Sequence, residues 1–326
     1  MRLQRKSARR DFTTRSSPPQ NLRPTNPIHS VSYFLGIDLG GSSVKAVAVT
    51  ATGQLLRQEH FDFEATQPMA WAGKIREVVG EFENGLGRPA DGLGLSAPGL
   101  VAQDGRSIAH MPGRLQGLEG LVWSDYLTGH KSVPVLNDAQ AALLGEVCSG
   151  AARGFRDVIL LTLGTGVGGA IMANGQLLRG HIGRAGHLGH ISLNPEGPPD
   201  IVNTPGSLED AIGNATILRR TDGRFYDTHS MVRACLTEDP FATEIWLKSV
   251  RALACAITSF VNVLDPEAVI IGGGIAAAGD ALFKPLASFL DEVEWRPGGQ
   301  RVKILPAQLG EFAGAMGAAW NAVQRG

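Results

Sequence analysis

Residues 33–56 read YFLGIDLGGSSVKAVAVTATGQLL: an apolar run, a glycine-rich turn, a second, alternating apolar run and another turn at Thr52-Gly53. Short apolar runs bounded by glycine and polar residues predict β-strands. We therefore expect two or three antiparallel strands at the start of the ordered chain. The pattern returns at residues 158–172, where apolar runs flank the turn GTGVGG. This repetition predicts two related halves, each of which opens with a hairpin.

The segments between and after these hairpins alternate between helical and strand patterns. Helical spacing of apolar residues predicts an amphipathic helix over about residues 68–87 and a long core-facing helix that includes residues 250–264. Further helices are expected at AQAALLGEV and AGAMGAAWNAV, and buried strands at GLGLSA, VPVL and AVII. Strands that alternate with helices predict an α/β architecture with helices covering both sheets.

Length, charge and cysteine usage limit the kinds of protein that this chain can be. The 326 residues, 43% of them hydrophobic, suggest two domains with a substantial core. Lys and Arg number 30 against 31 Asp and Glu, so we expect no nucleic-acid partner and no membrane partner. Three widely separated cysteines favour neither a disulfide framework nor a cysteine zinc site and fit the reducing cytoplasm. The longest uncharged run, residues 158–178, is interrupted by glycines and does not predict a membrane span.

The first part of the chain has a different composition. Residues 1–30 contain seven basic residues and one acidic residue, with almost no apolar ones. Such a segment cannot bury enough surface to offset the entropy lost on ordering. We expect residues 1–32 to form a disordered, solvated basic tail. An organelle transit peptide fits less well, because no amphipathic apolar face accompanies the arginines.

Three glycine-rich turns each follow an apolar strand: DLGGSS at residues 38–43, GTGVGG at residues 164–169 and GGG at residues 272–274. Glycine lets backbone N–H groups approach a phosphate closely, and serine or threonine hydroxyls add further donors. One such turn usually just connects strands, whereas three in this order predict phosphate-binding loops. Neither the Walker pattern nor the Rossmann pattern fits, because the first two turns lead into strands instead of helices.

Together these segments resemble the sugar kinase, actin and Hsp70 superfamily, and within it the ROK family of repressors, open reading frames and sugar kinases. The resemblance spans about residues 33–324 and rests on GIDLGGSSVKAVAV, GLGLSAPGLV, VPVLNDAQAALLGE, LLTLGTGVGGAIMANGQLLRG, GHLGH, GSLED, VIIGGGI and LGEFAGAMGAA. It implies two RNase H-like, actin-like ATPase domains with a nucleotide and sugar cleft between them. The expected domains are residues 33–136 and 137–310, with a helix at about 311–326 packing back on the first. A homodimer is also expected.

The resemblance implies roles for residues on the nucleotide side of the cleft. Asp38 resembles the family's metal-facing aspartate, through which Mg²⁺ on ATP would neutralise developing charge. The expected nucleotide-binding residues are Asp38, Gly40, Gly41, Ser42, Lys45, Gly164, Thr165, Gly166, Gly273 and Gly274. From the residues alone, Asp38 also fits a turn residue, and Lys45 also fits a solvated strand lysine.

Asp138 resembles the family's catalytic base, which takes the proton from a sugar hydroxyl as that oxygen attacks the γ-phosphate. The sequence context agrees, because a carboxylate at a strand end, preceded by the amide of Asn137, is a suitably positioned base. Asn137-Asp138 also fits a helix N-cap before AQAALLGE, and the two interpretations are compatible. Gly99 and Asn137 are further expected substrate contacts on this side.

The sugar side departs from the family pattern at several positions. The family's E-x-G-H motif is replaced by HLGH at residues 187–190, so His187 stands in the place of the glutamate and His190 matches the histidine. Glu209 matches a sugar-contacting glutamate, although it also fits an exposed carboxylate at a helix start. Arg114 stands near the place of a sugar-binding asparagine.

The family's zinc knot, C-x-C-G-x-x-G-C, aligns with residues 200–207, where Asp200, Val202 and Ser207 stand in the places of the cysteines. Valine cannot bind zinc, so we expect no structural zinc ion. A different metal site formed by His187, His190 and Asp200 is a weaker alternative. Histidines three apart share a face on a helix, and the glycines make this segment a poor helix.

These observations predict ATP-dependent phosphorylation of a hexose or hexose derivative. Replacing a carboxylate by imidazole, and an amide by guanidinium, makes the pocket less negative and favours a modified hexose, N-acetylated or anionic, over plain glucose. One alternative is a sugar sensor or inactive kinase, which retention of Asn137-Asp138 and both phosphate loops disfavours. Another is a transcriptional repressor, but the segment before the first strand has no helical apolar pattern. Polyphosphate is an alternative phosphoryl donor.

Overall fold

The computed structural model describes residues 31–64, 69–113, 115–127 and 129–325, and two five-stranded sheets dominate them. The first sheet contains β1 (Phe34–Leu39), β2 (Ser43–Val49), β3 (Leu55–Asp62), β4 (Gly92–Ala97) and β7 (Val135–Asn137). A two-stranded ribbon of β5 (Leu100–Val101) and β6 (Ile108–His110) stands between β4 and β7 in the chain. The predicted basic tail lies outside the described residues, except for Val31 and Ser32.

The strand order of the first sheet is β3-β2-β1-β4-β7. Strands β1, β2 and β3 pair antiparallel, as the predicted hairpins require, whereas β4 and β7 run parallel to β1. Helix α1 (Ala70–Leu86) connects β3 to β4 across one face of the sheet. Its predicted apolar stripe is buried, and Gly87 ends the helix in the left-handed conformation.

The second sheet repeats this topology. Its strands are β8 (Val158–Leu163), β9 (Val167–Ala173), β10 (Gln176–Leu177), β11 (Ala268–Gly272) and β12 (Lys303–Pro306), in the order β10-β9-β8-β11-β12. Strands β8, β9 and β10 are antiparallel, and β11 and β12 run parallel to β8. The predicted relation between the two halves is confirmed, because one sheet topology is built twice.

The remaining helices belong mostly to the second half. They are α2 (Trp123–Tyr126), α3 (Asp138–Ser149), α4 (Leu208–Ile212), α5 (Ile217–Arg220), α6 (Thr228–Leu236), α7 (Pro240–Leu264), α8 (Asp280–Val293) and α9 (Ala313–Arg325). Helix α7 begins well before residue 250, because Asp239 caps it by accepting from the Ala242 N–H at 2.9 Å and Pro240 fits its first turn. By length and hydropathy α7 is the one helix in the described ranges able to cross a membrane, and its buried face packs in the core of the second half.

Helices α3 and α9 form the layers between the two sheets. Alternate side chains of a strand point to opposite faces, so each sheet needs a cover on both sides. The first sheet packs against α1 on one face and α9 on the other. The second packs against α7 on one face and α3 on the other. Each fully buried leucine or isoleucine in these four layers contributes about 1.5–3 kcal/mol to folding.

Glycines allow α3, α9 and the first sheet to approach backbone to backbone. A Cβ on Gly317 would collide with the carbonyl oxygen of Ala141, and one on Gly145 would collide with that of Ala313. A Cβ on Gly36 of β1 would collide with the backbone of α9. The small residues of AGAMGAAWNAV are therefore required by a tight crossing, which brings the start of α3 close to the carboxyl end of β1.

Candidate functional site

Asn137 and Asp138 lie where β7 ends and α3 begins. The Asn137 side chain caps α3, since its Oδ1 accepts a hydrogen bond from the Ala139 N–H at 3.0 Å. Its Nδ2 donates to the Gly99 carbonyl oxygen at 3.1 Å, which ties the loop after β4 to the start of α3. The predicted cap is confirmed. It also brings three of the predicted substrate residues, Gly99, Asn137 and Asp138, to one place.

The Asp138 carboxylate is open to solvent, and its Oδ1 accepts from the Ala139 N–H at 2.8 Å. The surrounding protein restricts its hydration, and this desolvation raises the pKa of Asp138 despite the hydrogen bonds from Ala139 and Asn137. A raised pKa means a stronger base. The group therefore suits accepting a proton from a hydroxyl group.

Asp38, on β1, pairs in register with Lys45 of β2 and Ser96 of β4. The Ser96 hydroxyl donates a hydrogen bond to Asp38 Oδ1. Burial raises the pKa of Asp38 to about 6, the negative charge of Asp138 acts in the same direction, and Ser96 and Lys45 oppose it. The two carboxylates are therefore near enough for the charge of one to act on the other.

Mg²⁺ prefers oxygen ligands, and it commonly binds through one or two carboxylates while phosphate oxygens and water complete its octahedron. In the parts of the chain that the structure describes, no group of three or more His, Cys, Asp or Glu side chains is arranged to hold a metal ion. A site shared with phosphate oxygens needs only one or two protein carboxylates. Asp38 fits it, because it is a buried carboxylate whose pKa a neighbouring cation would lower.

The first glycine-rich turn joins β1 to β2. The Gly40 N–H donates to the Ser43 carbonyl oxygen at 2.8 Å, which closes the turn and leaves Gly41 and Ser42 exposed. The ammonium group of Lys45 lies beside the turn, since a Cβ on Gly40 would be 3.5 Å from its Nζ. Exposed N–H groups next to a cation suit an anionic ligand.

The second turn joins β8 to β9. The Gly164 N–H donates to the Gly166 carbonyl oxygen at 2.9 Å. The carbonyl oxygens of Gly164 and Thr165 accept from the N–H groups of Asn214, at 2.9 Å, and Ala215, at 2.8 Å. The turn that precedes α5 therefore holds the second loop in place.

The third glycine run follows β11. Gly273 has a φ of 85°, a left-handed conformation that favours glycine, and a Cβ there would collide with the Leu163 carbonyl oxygen. This close approach places Gly273 and Gly274 beside the end of β8. The third run therefore adjoins the second loop, as the predicted nucleotide site requires.

A cavity of about 470 Å³ opens beside the second loop, a volume in the range of small-molecule sites. Its walls combine the loop, the third glycine run and the start of α6: Gly164, Thr165, Asn214, Asp227, Thr228, His229, Val232, Gly274, Ile275, Ala277 and Ala278. The sequence analysis missed Asp227, Thr228 and His229. Their local signal is a helix cap, in which Asp227 Oδ1 accepts from the Ser230 N–H at 2.6 Å.

Glu209, in the first turn of α4, faces the second loop. Its Oε2 accepts from the Val167 N–H at 2.9 Å, and a Cβ on Gly166 would collide with its carboxylate. Ser207 caps the helix by accepting from the Asp210 N–H at 3.2 Å. Glu209 does lie at a helix start, as the alternative held. The alternative is wrong about its exposure, because Glu209 is half-buried and fixed by the loop.

The HLGH segment packs against β9. Leu188–His190 form one 3-10 turn, and a Cβ on Gly189 would collide with the Val167 carbonyl oxygen. His187 is half-buried, and burial lowers its pKa, with the neighbouring His190 acting in the same direction. His187 is therefore neutral at pH 7. His190 Nδ1 lies 2.8 Å from Asp200 Oδ2.

The residues at the three zinc-knot positions do not fit a zinc ion. Asp200 is bonded to His190, Val202 has no ligating atom, and the Ser207 hydroxyl caps α4. Structural zinc needs four nitrogen, sulfur or carboxylate ligands in a tetrahedron. Isolated β-bridges between Ser192 and Ser207 and between Pro199 and Pro205 hold the segment instead.

The start of α3 connects the two halves of the site. A Cβ on Gly168 of β9 would lie 3.6 Å from the Cβ of Ala139, the residue after Asp138. The carboxylates of the first half therefore adjoin the strand that leaves the second loop. Arg114 lies outside the described residues, and its predicted sugar contact stays a prediction.

Comparison with known proteins agrees with this geometry. A family model described as "ROK family" matches residues 34–325. The glucokinase of Halalkalibacterium halodurans is 31% identical over 320 residues, which cover 90% of this chain and 96% of that relative. The ROK hexokinase of Thermus thermophilus superimposes with a TM-score of 0.81 at 29% identity, covering 90% and 98% of the two chains. A ROK family glucokinase of Streptomyces griseus, solved in complex with glucose and AMPPNP, gives a TM-score of 0.71 at 28% identity, covering 90% and 100%.

Proposed function

The chain belongs to the ROK family, and from this premise we propose that it is a carbohydrate kinase, which transfers the γ-phosphoryl group of ATP to a hydroxyl group of a hexose or hexose derivative. The observation that carries the proposal is that Asp38, at the end of β1 beside the first glycine-rich loop, and Asp138, at the start of α3 beside the strand that leaves the second loop, lie near enough to interact. One carboxylate suits a metal ion and the other suits proton transfer. Phosphoryl transfer demands little other covalent chemistry from a protein.

Asp138 is the general base of the proposed reaction. The proton of the sugar hydroxyl moves to Oδ2, because Oδ1 already accepts from Ala139. The sugar oxygen then forms the new bond to phosphorus, and ADP leaves with the electrons of the broken bond. Asn137 bonds both Ala139 and Gly99, which keeps the start of α3 and the carboxylate from shifting during the transfer.

The nucleotide side consists of the three glycine-rich runs. The exposed N–H groups of Gly41 and Ser42, with Lys45, would bind one end of the phosphate chain, and the second loop would bind the other. Mg²⁺ held by Asp38 and phosphate oxygens would neutralise the charge that develops on the phosphoryl group. The cavity of about 470 Å³ beside Gly273 and Gly274 suits the adenosine group.

The sugar side consists of Gly99, Asn137, His187, His190 and Glu209, together with Arg114. Imidazole in the place of a carboxylate makes this side less negative, which favours a modified hexose. Because the lowered pKa leaves His187 neutral at pH 7, it offers one donor and one acceptor and no positive charge. An uncharged N-acetyl group therefore fits better than an anionic one.

A coupled ADP-release assay over hexoses, aminosugars and N-acetylated sugars tests the activity. Asp138→Asn is expected to lower kcat by about 10²–10⁴-fold, the usual contribution of a general base. Asp125→Asn is the matched control, since that carboxylate is exposed on α2, and it should leave kcat unchanged. Activity that survives in Asp138→Asn would show that another group accepts the proton.

The same assay separates the other functions. Sugar binding without ADP release in the wild-type protein would favour a sensor, and phosphorylation with polyphosphate but not with ATP would change the donor. Equal turnover of glucose and mannose, with no response to an N-acetylated or carboxylated analogue, would contradict the preference for a modified hexose.

We also propose a domain boundary, an assembly and a location. The boundary lies between residues 136 and 137, near the end of β7 (Val135–Asn137), the last strand of the first sheet, and residues 311–326 return to the first domain. The three cysteines are free, which suits the cytoplasm. Light scattering on the purified protein tests the proposed homodimer.

A further inference from the structure

Asp200 and His190 form a buried pair at the sugar side of the site. Asp200 Oδ2 lies 2.8 Å from His190 Nδ1, and the two side chains are 1% and 21% exposed. Carboxylates are seldom buried so completely unless they are bonded at both oxygens. Asp200 meets this condition, because one oxygen is bonded within its own loop and the other is bonded to His190.

The other oxygen of Asp200 fixes the loop. Oδ1 accepts from the N–H groups of Val202 and Thr204, both at 2.9 Å. These bonds close the turn after Asp200 without any help from His190. Oδ2 is thus directed at the imidazole by a carboxylate that cannot rotate, and the contact with His190 is not needed to hold the loop.

The contact decides which nitrogen of His190 carries the proton. A carboxylate oxygen accepts hydrogen bonds, so Nδ1 must donate, and Nε2 of the neutral ring is left with a lone pair. Within the described ranges, Asp200 is the one protein group that hydrogen-bonds this imidazole. About a fifth of the His190 side chain is exposed, and no protein group in the described ranges hydrogen-bonds its Nε2, so this nitrogen is left to accept from a hydroxyl group.

We infer that Asp200 is a positioning residue, which holds His190 in the Nδ1–H tautomer so that Nε2 accepts a hydrogen bond from a hydroxyl of the bound sugar. This inference rests on the proposed function and names a further residue of the same site. It predicts that the bound sugar presents a hydroxyl, and not an alkyl or acceptor group, to His190.

Asp200→Asn isolates this role. Asparagine keeps Oδ1 for the Val202 and Thr204 N–H groups, but it replaces Oδ2 with an NH₂ group, which donates. Nδ1 of His190 must then accept, and the proton moves to Nε2. We expect the Kd for sugar to rise about tenfold or more, because a donor now faces the sugar hydroxyl, with Kd for ATP and the unfolding midpoint unchanged. Ile201→Ala, at a side chain 83% exposed in the same loop, is the matched control.

Three measurements decide the inference: calorimetric Kd values for glucose and N-acetylglucosamine, the Kd for ATP, and ¹⁵N NMR of the His190 ring in the wild-type protein. The expected spectrum shows a protonated Nδ1 and an Nε2 signal that shifts when the sugar binds. A protonated Nε2 in the free wild-type protein, or an Nε2 signal that no sugar moves, overturns the inference even if Asp200→Asn does not fold. A sugar Kd within twofold of wild type in folded Asp200→Asn also overturns it. Absence of ADP release refutes the kinase function and leaves these spectra and affinities to decide the role of Asp200.

Discussion

Asp38 destabilises the fold when it is ionised. Burial raises its pKa from the ordinary value of 3.8 to about 6 in the folded protein. The folded state thus binds the proton of Asp38 more tightly than the unfolded state does. The contribution of Asp38 to stability therefore falls as the pH rises from about 4 to about 6, and it stays unfavourable above pH 6. The fold therefore tolerates an unfavourable charge at the position where we propose that Mg²⁺ binds.

Asp38→Asn should therefore stabilise the ligand-free protein at pH 8 and have little effect at pH 4, because asparagine keeps the acceptor for Ser96 and removes the charge. Urea unfolding of both proteins at the two pH values measures the difference. ADP release should drop steeply in the same variant. A variant that is less stable than wild type at pH 8 would contradict the assigned ionisation.

At the scale of elements, Arg220 connects α7 to the second loop. Its guanidinium donates to Ser249 Oγ of α7 at 2.7 Å and to the Gly213 carbonyl oxygen at 2.9 Å, in the turn whose N–H groups hold the loop. Burial lowers its pKa to about 10, so it stays charged at pH 7. The second loop therefore depends on a side chain that no ligand needs to touch.

Arg220→Met should destabilise the protein by about 1–3 kcal/mol, because it removes the hydrogen bonds that the guanidinium donates to Ser249, Ile212 and Gly213. It should also raise the KM for ATP more than the KM for sugar. Urea unfolding and two-substrate kinetics measure both effects. Arg251→Met, at an exposed position on α7, is the control. An unchanged KM for ATP in a destabilised Arg220→Met protein would mean that the turn supports the fold and not the loop.

The crossing of α3 and α9 leaves no space for an added side-chain atom. Gly317→Ala places a Cβ against the Ala141 carbonyl oxygen, and backbone atoms of a packed helix cannot move aside cheaply. We expect a loss of about 1–3 kcal/mol, measured by chemical unfolding, although alanine favours the helix by about 1 kcal/mol. Gly80→Ala in α1, which meets no atom within 4 Å, should be neutral or stabilising. Equal stability of the two variants would refute the tight crossing.

For the molecule as a whole, the sequence was informative where structure is local. Both hairpins, α1 and the cap at Asn137 follow from patterns of neighbouring residues, and the structure has them. Helices α2, α4, α5, α6 and α8 were missed: the first four have too few turns to show a clear period, and α8 contains Pro285, a residue that helix interiors disfavour. The nearness of Asp38 to Asp138 was implied by the resemblance alone. The two residues are far apart in the sequence, and sheet pairing and the helix crossing bring them together.

The sugar side was the least predictable part. Glu209 fits a sugar contact by its place in the sequence, but its bond to the Val167 N–H depends on how α4 packs on the second loop. The bond between His190 and Asp200 spans an irregular loop with no periodic signal. The only sequence clue was that Asp200, a hydrogen-bond acceptor, stands where the family has a zinc-binding cysteine.

Helix α9 covers a face of the first sheet, yet it is the last element of the described chain. A ribosome releases the N-terminal segment first, so β1 and β4 leave the exit tunnel long before the helix that packs on them. The second half can fold around β8 and α7 while this face of the first sheet is still uncovered. The first half therefore completes its core late in synthesis, and until then its exposed apolar face is a surface for chaperones to shield.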